Sequence, residues 1–388
     1  MTSGTLTWYE FFAGGGMARL GLGKRWRCVF ANEWSAKKAS TYKGRFGRCD
    51  ELVVDDVAKI ATSNLPGTAD LAWASFPCQD LSLAGAGAGL AGARSGTFRP
   101  FWRLMTELTA ENRTPRIIVL ENVVGALTSH HGEDFAAIIE SFAAIDYRVG
   151  AVVVDAVRFV PQSRPRLFII GTSARVAVPR ALTSPAPIEP WHPGSLRAAR
   201  ERLPRELDDY WTWWRLPMPS NHIRALSSII TDNPVGVDWH SSSETNHLLG
   251  LMSPLHLRKI EAARASGGRI VGTVYKRTRP NDSGERRQRA EVRFDNVAGC
   301  LRTPTGGSSR QTVIVVDGRS VRTRLLSPRE AADLMGIPND YPLPESYNDA
   351  YHLCGDGVVV PVVSWLSEHL LRPLVHANST APANKQIA

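Results

Sequence analysis

The alternation of short apolar runs with helix-like stretches constrains the first 172 residues more than any other feature of this sequence. Six runs have the length and apolarity of buried strands, and the stretches between them have helical periodicity. This alternation predicts an α/β fold with a doubly wound, mostly parallel sheet. The predicted strands are 6–12, 28–31, 70–75, 117–120, 149–154 and 167–170, and the predicted helices are 17–22, 35–42, 98–111 and 134–144.

The composition changes at about residue 178. A proline-rich linker is followed by an irregular region rich in Trp, Arg, Gly and Ser, which extends to about Gly318. Helical patterning returns at residues 327–336 and 358–371. We therefore expect a second domain in the irregular region, with small hydrophobic packing as the favoured role of Trp211, Trp213 and Trp214.

A glycine turn joins the first predicted strand to the first predicted helix. The segment Phe12-Ala13-Gly14-Gly15-Gly16 lets the backbone approach a ligand at a helix N-terminus, where a nucleotide or nucleoside is the natural guest. The dinucleotide fingerprint G-x-G-x-x-G would require glycine where Arg19 stands. This departure weakens the interpretation as an NAD-linked oxidoreductase.

Two acidic residues end the next two predicted strands. Glu33 follows the glycine turn by about 20 residues, where a carboxylate can accept both ribose hydroxyls. Trp34 can stack on adenine, and Asp56 can accept from the adenine amino group. Each carboxylate alone also fits a helix cap or a solvated surface position, but their order and spacing favour a nucleoside site.

Cys78 follows the predicted strand at residues 70–75, and ligands of open α/β sheets bind at the carboxyl ends of such strands. An isolated cysteine is usually a small buried apolar residue. Here Glu121 ends the next strand, and Arg164 and Arg166 precede a later one, so these side chains can converge at one rim. The arginine pair also fits a charge cluster at a strand edge.

In order, these segments resemble the motif series of the cytosine-5 DNA methyltransferases. The resemblance covers the first 172 residues and about 322–371, and three positions depart from it: Glu10, Met17 and Asp356-Gly357 stand where the family more often has Asp, Gly and Asn-Ser. The segments that carry it are Phe12–Gly16, Glu33-Trp34, Pro77-Cys78-Gln79, Glu121-Asn122-Val123, Gln162-x-Arg164-x-Arg166, Arg324–Glu330 and Gly355–Pro361.

The resemblance implies a Rossmann-like, S-adenosylmethionine-dependent enzyme that methylates carbon 5 of a flipped cytosine without a metal. By this resemblance, the Cys78 thiolate adds to carbon 6, Glu121 hydrogen-bonds the amine and ring nitrogen 3, and Arg164 stabilises charge near the carbonyl oxygen. Arg166 completes the predicted catalytic set. The implied cofactor-binding residues are Phe12, Gly14, Gly16, Glu33, Trp34, Asp56 and Pro77.

The region from Arg258 to Arg310 has thirteen basic and five acidic residues, a composition typical of phosphate binding, although a solvated basic loop is an alternative. In the family this position holds the target-recognition domain. We therefore expect a discontinuous catalytic domain over 1–175 and 320–388 and a recognition domain over 176–319. The predicted DNA-binding residues are Gln79, Ser82, Thr305, Gly306 and Arg310.

Three other functions have to be weighed. A tRNA-methylating branch shares the Pro-Cys-Gln and Glu-Asn-Val motifs, but about 140 residues are available here for recognition, which favours duplex DNA. A catalytically silent DNA-binding protein would be expected to lose Cys78 or Glu121. The NAD-linked oxidoreductase is disfavoured because Arg19 stands where its fingerprint requires glycine.

The cellular setting follows by analogy. The net charge is +9 with 38 arginines, which suits a polyanionic partner, and the five scattered cysteines indicate neither a disulfide framework nor a metal site. No apolar run is long enough for a membrane span. We expect a cytoplasmic, nucleoid-associated monomer of bacterial or phage origin. A restriction endonuclease can accompany it without forming a stable complex.

Overall fold

The computed structural model describes residues 5–77, 95–220, 224–280, 284–303 and 310–377. The chain forms two compact units. Unit 1 consists of Met1–Val154, Pro165–Pro219 and Val362–Ala388, and unit 2 consists of Asp155–Arg164 and Ser220–Pro361. Cys78, Gln79, Ser82, Thr305 and Gly306 lie outside the described residues.

A seven-stranded sheet is the centre of unit 1 in the part of the chain that the structure describes. Its strands are β1 (Leu6–Phe11), β2 (Trp26–Asn32), β3 (Leu52–Val53), β4 (Leu71–Ala74), β5 (Ile117–Val123), β6 (Tyr147–Asp155) and β7 (Pro165–Ser173). The strand order is β3-β2-β1-β4-β5-β7-β6. β1 pairs in parallel with β2 and β4, and β4 pairs in parallel with β5, whereas β7 runs antiparallel to β5. The predicted doubly wound, mostly parallel sheet is confirmed.

Helices cover this sheet because each presents an apolar stripe at helical spacing. In α3 the residues Phe98, Phe101, Met105 and Leu108 recur every three or four positions, and all four are buried. The α-helices of this unit before residue 219 are α1 (Met17–Leu22), α2 (Ala36–Phe46), α3 (Phe98–Ala110), α4 (Glu133–Ala144) and α5 (Gly194–Glu201). The six strands and four helices expected in this region are therefore confirmed, with shifted ends.

The tryptophan segment packs on the same sheet. It forms the two-stranded ribbon of β8 (Thr183–Ser184) and β9 (Trp213–Trp214). Trp214 is fully buried, and its indole N–H donates to the carbonyl of Ile170 in β7 at 3.2 Å. Trp211 and Trp213 pack against the main core of unit 1. The hydrophobic role predicted for these tryptophans is confirmed.

Unit 2 contains an antiparallel sheet of order β11-β10-β12-β13. Leu248 and Ile260 of two helices, with Met252 between these helices, pack onto Val274 and Ile314 of this sheet. The strands are β10 (Arg269–Pro280), β11 (Arg286–Arg293), β12 (Thr312–Asp317) and β13 (Ser320–Leu325). The helices are α6 (Leu226–Ile229), α7 (Ser242–Gly250), α8 (Pro254–Ala265), α9 (Pro328–Asp333) and α10 (Tyr347–Asp356).

A buried ion pair fixes the start of α9. Arg324 is fully buried and donates through both terminal nitrogens to the Glu330 carboxylate, each at 2.7 Å. Glu330 also accepts the backbone N–H groups of Ser327 and Thr231 at 2.9 and 3.0 Å. Because both charges are desolvated, this geometry stabilises the fold only while both partners are present.

The division into units differs from the domain bounds expected from the sequence. Residues 176–219 lie with unit 1 because of the tryptophan packing, and residues 320–361 lie with unit 2 because β13 pairs with β12 over its whole length. The short segment Asp155–Arg164 also belongs to unit 2. The proline-rich segment therefore marks a change in composition, whereas the boundary between the two units lies at about residue 219.

The last helical stretch returns to unit 1. It consists of α11 (Val360–Leu366), a π-helical turn (Ser367–Leu371) and α12 (Arg372–Ala377). Ser364 donates to the carbonyl of Gly21 at 2.8 Å, and Trp26 donates to the hydroxyl of Ser367 at 2.8 Å. Among the described residues, the stretch 347–377 is long and apolar enough to cross a membrane by length and composition, and most of its apolar window is buried within the protein.

Candidate active site

The glycine turn after β1 has the conformation that its sequence predicts. Phe12, Gly14 and Gly16 have φ angles of 57°, 56° and 78°, in the left-handed region. A Cβ at Gly16 would overlap the Phe46 ring and lie 2.9 Å from Tyr42, whereas a Cβ at Gly14 would have no neighbour within 4 Å. The turn is therefore packed on the Gly16 side and open on the Gly14 side, where a ligand can approach the backbone.

Glu33 ties this turn to the start of α2. Its side chain is buried, with 3% of the residue exposed. One carboxylate oxygen accepts the N–H of Gly14 at 2.7 Å, and the other accepts the N–H of Ser35 at 2.9 Å. A carboxylate oxygen can accept more than one hydrogen bond, so both oxygens retain the capacity to bind ligand hydroxyls.

Trp34 and Asp56 follow the neighbouring strands β2 and β3. Trp34 is 75% exposed, an unusual state for so large an apolar side chain and one that provides a flat stacking surface. Asp56 is exposed and caps the short helical turn Val57–Lys59, with Oδ1 accepting the N–H of Ala58 at 2.9 Å. Asp56 therefore has the helix-capping role that the sequence left open as an alternative, and this role uses one of its two carboxylate oxygens.

A buried polar cluster lies under the glycine turn. Tyr42 donates to the Glu10 carboxyl at 2.9 Å and accepts from Arg19 at 2.9 Å, and Arg19 pairs with Glu51 at 2.6 Å. Burial raises the pKa of Glu10 to about 8, despite the lowering effect of the Tyr42 hydrogen bond. Sequence reasoning missed this cluster. The sequence feature that could have revealed the cluster is Glu10, an acidic residue within an otherwise apolar strand.

The rim of the sheet brings Glu121 and Arg166 together. Glu121 lies in β5, is 7% exposed, and has Oε1 3.2 Å from Nε of Arg166. The pairing follows from topology: β7 runs antiparallel to β5, so that its first residues lie beside the last residues of β5, with Val123 opposite Arg166. Pro77, at the end of the chain segment leaving β4, precedes the part that is not described. The ion pair with Glu121 is compatible both with the predicted catalytic role of Arg166 and with the charge cluster at a strand edge.

Arg164 has a different environment from the one expected. Its guanidinium is buried in unit 2 and donates to the carbonyls of Gly355 and Gly357, each at 2.7 Å, and of Leu301 at 2.8 Å. Gln162 makes similar contacts, donating to the Leu334 carbonyl at 2.8 Å and accepting from the Leu301 N–H at 3.0 Å. These contacts differ from the sequence-based expectation: Arg164 holds backbone segments together by donating to three main-chain carbonyls.

Arg310 is the predicted DNA-binding residue that lies within the described residues. It donates to the side chain of Asn348, and its guanidinium lies 5.3 Å from the centre of the Tyr347 ring. Both partners are on α10 of the same unit. Within the described ranges, no group of three or more His, Cys, Asp or Glu side chains could hold a metal ion.

The C-5 cytosine-specific DNA methylase family matches this chain over residues 6–372. The chain belongs to this family. This methylase is 30% identical to the Type II methyltransferase M.NgoBI of Neisseria gonorrhoeae, over 91% of the chain and 89% of the relative. It is 26% identical to the Type II methyltransferase M.BsuFI of Bacillus subtilis, over 92% of the chain and 70% of the relative.

The fold of this methylase is also similar to that of solved methyltransferases. The structure of the Entamoeba histolytica methyltransferase EhMeth superposes with a TM-score of 0.63, at 13% identity, over 96% of this chain and 99% of the other. At that identity the likeness concerns the fold. Family membership makes the chain a DNA (cytosine-5) methyltransferase, as expected from the motif series.

Proposed function

We propose that this enzyme methylates carbon 5 of a cytosine flipped out of a specific duplex DNA sequence, with S-adenosylmethionine as donor and Cys78 as covalent nucleophile. The observation that carries the proposal is the ion pair of buried Glu121 with Arg166 at the rim of the sheet. Glu121 lies on β5, next to the strand that leads to Pro77-Cys78. A carboxylate held in this way can hydrogen-bond a base while a neighbouring cation fixes its orientation.

The residues around the glycine turn fit the proposed cofactor. The open side of Gly14 admits a ligand to the backbone, Glu33 offers buried acceptors for ribose hydroxyls, and Trp34 offers an exposed ring for adenine. Asp56 uses Oδ1 as a cap, and we assign its other oxygen to the adenine amino group. Phe12 and Pro77 complete the proposed set. The donor supplies a methyl group on a positively charged sulfur.

The chemistry requires activation of the ring, because carbon 5 of cytosine is a poor nucleophile. In our proposal the Cys78 thiolate forms a bond to carbon 6, and the electron pair of the 5,6 double bond becomes available at carbon 5. Glu121 hydrogen-bonds the exocyclic amine and shares a proton with ring nitrogen 3. After carbon 5 has been methylated, a base removes its proton and the bond between Cys78 and carbon 6 breaks, which restores the double bond.

The two arginines have separate roles in this proposal. Arg166 fixes Oε1 of Glu121 and supplies positive charge at the rim, so we assign it to the base and its carboxylate partner. Arg164 is a positioning residue that ties Leu301 to the turn at Gly355–Gly357. Replacing Arg164 should therefore affect the order of unit 2 before it affects the chemical step.

We assign recognition of DNA to unit 2, with Arg310 and the segment containing Thr305 and Gly306 contacting the substrate, and Gln79 and Ser82 beside the flipped base. Support comes from the basic strands of this unit: β10 and β11 carry Lys276, Arg277, Arg287 and Arg289. Their charge suits a phosphate backbone. Relatives named as Type II methyltransferases support a role in restriction–modification. We also propose that the enzyme acts in the cytoplasm, as a monomer that forms no stable complex with a nuclease.

The proposal is tested with purified protein, labelled S-adenosylmethionine and two substrates, unmethylated genomic DNA and tRNA. Label in DNA, located by bisulfite sequencing in one short sequence context, is the expected result. A duplex containing 5-fluorocytosine should also trap a covalent complex that survives denaturation, and Cys78→Ser should abolish both the trap and the transfer. Label in tRNA alone would overturn the assignment of substrate, and full activity of Cys78→Ser would overturn the covalent mechanism.

A further inference from the structure

Glu10 is a buried acid of unit 1 to which the proposed mechanism gives no role. It lies in β1, two residues before the glycine turn begins at Phe12, and 1% of the residue is exposed. One carboxyl oxygen accepts a hydrogen bond from the Tyr42 hydroxyl at 2.9 Å. The other oxygen, Oε1, is buried and makes no hydrogen bond among the described residues. Because a buried charge with an unsatisfied oxygen is costly, this environment favours the neutral carboxylic acid.

Tyr42 connects this acid to the glycine turn. Its ring packs under Gly16, because a Cβ added at Gly16 would lie 2.9 Å from two carbons of that ring. The Phe46 ring closes the same side of the turn, with its centre 4.8 Å from the centre of the Tyr42 ring. Glu10 thus holds the hydroxyl end of a side chain whose ring supports the turn, so a change at Glu10 can reach Gly16 through one residue.

The guanidinium of this cluster, on Arg19 of α1, is engaged by another carboxylate. Arg19 donates to the Tyr42 hydroxyl at 2.9 Å and pairs with Glu51 at 2.6 Å. Burial raises the pKa of Glu10 to about 8, and the opposing effects of the Tyr42 hydrogen bond and of Arg19 are smaller. Cys28 of β2 lies 3.9 Å from the Tyr42 hydroxyl, and burial raises the pKa of its thiol, so it stays neutral.

Glu33 is the second carboxylate that acts on the turn. It accepts the N–H of Gly14 at 2.7 Å, and its charge raises the pKa of Glu10. An ionised Glu10 would therefore repel the carboxylate that we assign to the ribose hydroxyls. Its buried Oε1 would also need a donor or a water molecule, and Tyr42 must move away from Gly16 to admit one, because its ring is packed there.

We propose that Glu10 is a positioning residue of the cofactor site: as a neutral acid it holds Tyr42 against Gly16, and its ionisation lowers the affinity for the cofactor. The inference rests on the proposed function, because it takes the glycine turn to bind S-adenosylmethionine. Glu10 acts through Tyr42 and the turn, so its role needs no contact with the cofactor or the base. Cofactor affinity is thereby linked to a proton that the methyl transfer itself does not use.

The test measures the Kd of S-adenosylhomocysteine against pH for wild type and Glu10→Gln, with circular dichroism to show that each protein is folded at each pH. In wild type the Kd should rise above about pH 8, toward a limit of about tenfold per pH unit, because only the protonated fraction is fully competent to bind. Glu10→Gln keeps a neutral side chain of the same size and should remove this rise. The amino group of the ligand titrates equally in both experiments, so the difference between the profiles belongs to Glu10.

Proton uptake gives a second readout of the same link. Calorimetric titrations near pH 8, in buffers of different ionisation enthalpy, count the protons that are taken up when S-adenosylhomocysteine binds. Wild type should take up more protons than Glu10→Gln, because binding selects the protonated acid. A role of Glu10 in stability alone would leave this count unchanged.

Tyr42→Phe tests the connecting side chain. It keeps the ring under the glycine turn but removes the hydroxyl, whose hydrogen bond lowers the pKa of Glu10. Both the loss of the connection and the higher pKa should make the rise in Kd smaller than in wild type. The matched control is Tyr9→Phe, one residue earlier in β1 and on the opposite face, which removes a hydroxyl that donates to the carbonyls of Pro66 and Gly67 at 2.9 Å. Its Kd profile should match that of wild type.

The possible outcomes separate this proposal from the one on which it rests. A Kd of wild type that does not rise above pH 8, or a rise that persists in Glu10→Gln, would overturn the role of Glu10. If Glu10→Gln does not fold, equal profiles of wild type, Tyr42→Phe and Tyr9→Phe would overturn it, and a smaller rise in Tyr42→Phe alone would support it. Failure of wild type to bind S-adenosylhomocysteine at any pH would instead overturn the proposed cofactor site.

Discussion

The carboxylate of Glu33 joins the N–H of Gly14, at the turn after β1, to the N–H of Ser35, at the start of α2. One buried side chain therefore sets the distance between the two backbone segments that border the proposed cofactor site. Both donors are main-chain groups, so their positions depend on the acceptor that holds them. The charge of Glu33 strengthens both hydrogen bonds.

Glu33→Gln should weaken cofactor binding more than it weakens the fold. An amide has one acceptor oxygen in place of two, so the N–H of either Gly14 or Ser35 loses its partner. The variant also lacks the charged acceptor that we assign to the ribose hydroxyls. A hydrogen bond to a charged group contributes about 1.5–3 kcal/mol, which corresponds to a roughly 10- to 100-fold increase in the Kd of the cofactor. Calorimetric titration with S-adenosylhomocysteine measures this change. Wild-type affinity in the variant would exclude Glu33 from the cofactor site.

Gly14 and Gly16 form a matched pair for substitution. Gly16→Ala places a Cβ against Phe46 and Tyr42, so overpacking should lower the free energy of unfolding by about 1–3 kcal/mol in addition to backbone strain. Gly14→Ala meets no neighbour and should cost about 1 kcal/mol from its positive φ. Cofactor affinity should nevertheless fall in Gly14→Ala, because the Cβ enters the open side of the turn. Urea denaturation and cofactor titration separate the two effects.

Arg164→Lys and Arg166→Lys should differ in what they damage. The lysine at 164 cannot reproduce donation to three separate carbonyls, so stability should fall by about 2–4 kcal/mol. The lysine at 166 keeps its charge beside Glu121 but loses the planar fork, so kcat should fall by roughly 100-fold with little loss of stability. Denaturation curves and single-turnover methylation measure the two quantities. If Arg164→Lys lowered kcat and Arg166→Lys lowered stability instead, Arg164 would be the arginine that faces the base.

Removing one partner of the Arg324–Glu330 ion pair should destabilise the fold more than replacing both partners with apolar residues. Glu330→Gln leaves a buried guanidinium without its counter-charge, which should cost about 3–5 kcal/mol. The double variant Arg324→Met/Glu330→Leu removes both charges and should be less destabilised than the single variant. Thermal denaturation of wild type, Arg324→Met, Glu330→Leu and the double variant completes the cycle. Additive effects of the two substitutions would show that the pair contributes no coupling energy.

The buried carboxyl of Glu10 should make stability fall as pH rises. In the folded protein its pKa is raised from 4.5 to about 8, so between these values the folded state holds a proton that the unfolded state has released. Stability from this group is complete below pH 4.5, declines by up to about 1.4 kcal/mol per pH unit, and stops declining above pH 8. Glu10→Gln should flatten the profile in urea denaturation between about pH 5 and 8. If the stability profiles of wild type and Glu10→Gln were parallel between about pH 5 and 8, the pH dependence would belong to another group.

The sheet of unit 1 could be predicted because its strands are buried on both faces and therefore appear as continuous apolar runs. The ends were less certain: β5 continues through Glu121 and Val123 because its last residues pair with β7. The antiparallel direction of β7 was not predicted, because alternating patterns suggest parallel strands. Unit 2 was described only as irregular, since α7, α8 and the β10–β13 sheet depend on long-range pairing that a basic, polar sequence does not reveal.

The candidate site shows the same division between local and distant information. Glu33, Trp34 and the glycines could be proposed as cofactor residues because a local pattern places them at strand ends. The proposed positioning role of Arg164 depends on carbonyl groups up to 193 residues away in sequence, at Gly357, and no local signal indicates such partners. The Glu10–Tyr42 contact also joins elements separated by 32 residues.

The contacts of the last helical stretch with α1 and β2 have a consequence for synthesis of the protein. Gly21 leaves the ribosome 343 residues before Ser364, to which it is hydrogen-bonded, and Trp26 leaves it 341 residues before its partner Ser367. The residues of unit 2 up to Pro361 are complete before these contacts can form. Until residues 364–367 have been made, nascent chains should therefore lack these partners of α1 and β2, and this interval is when chaperones have most to bind.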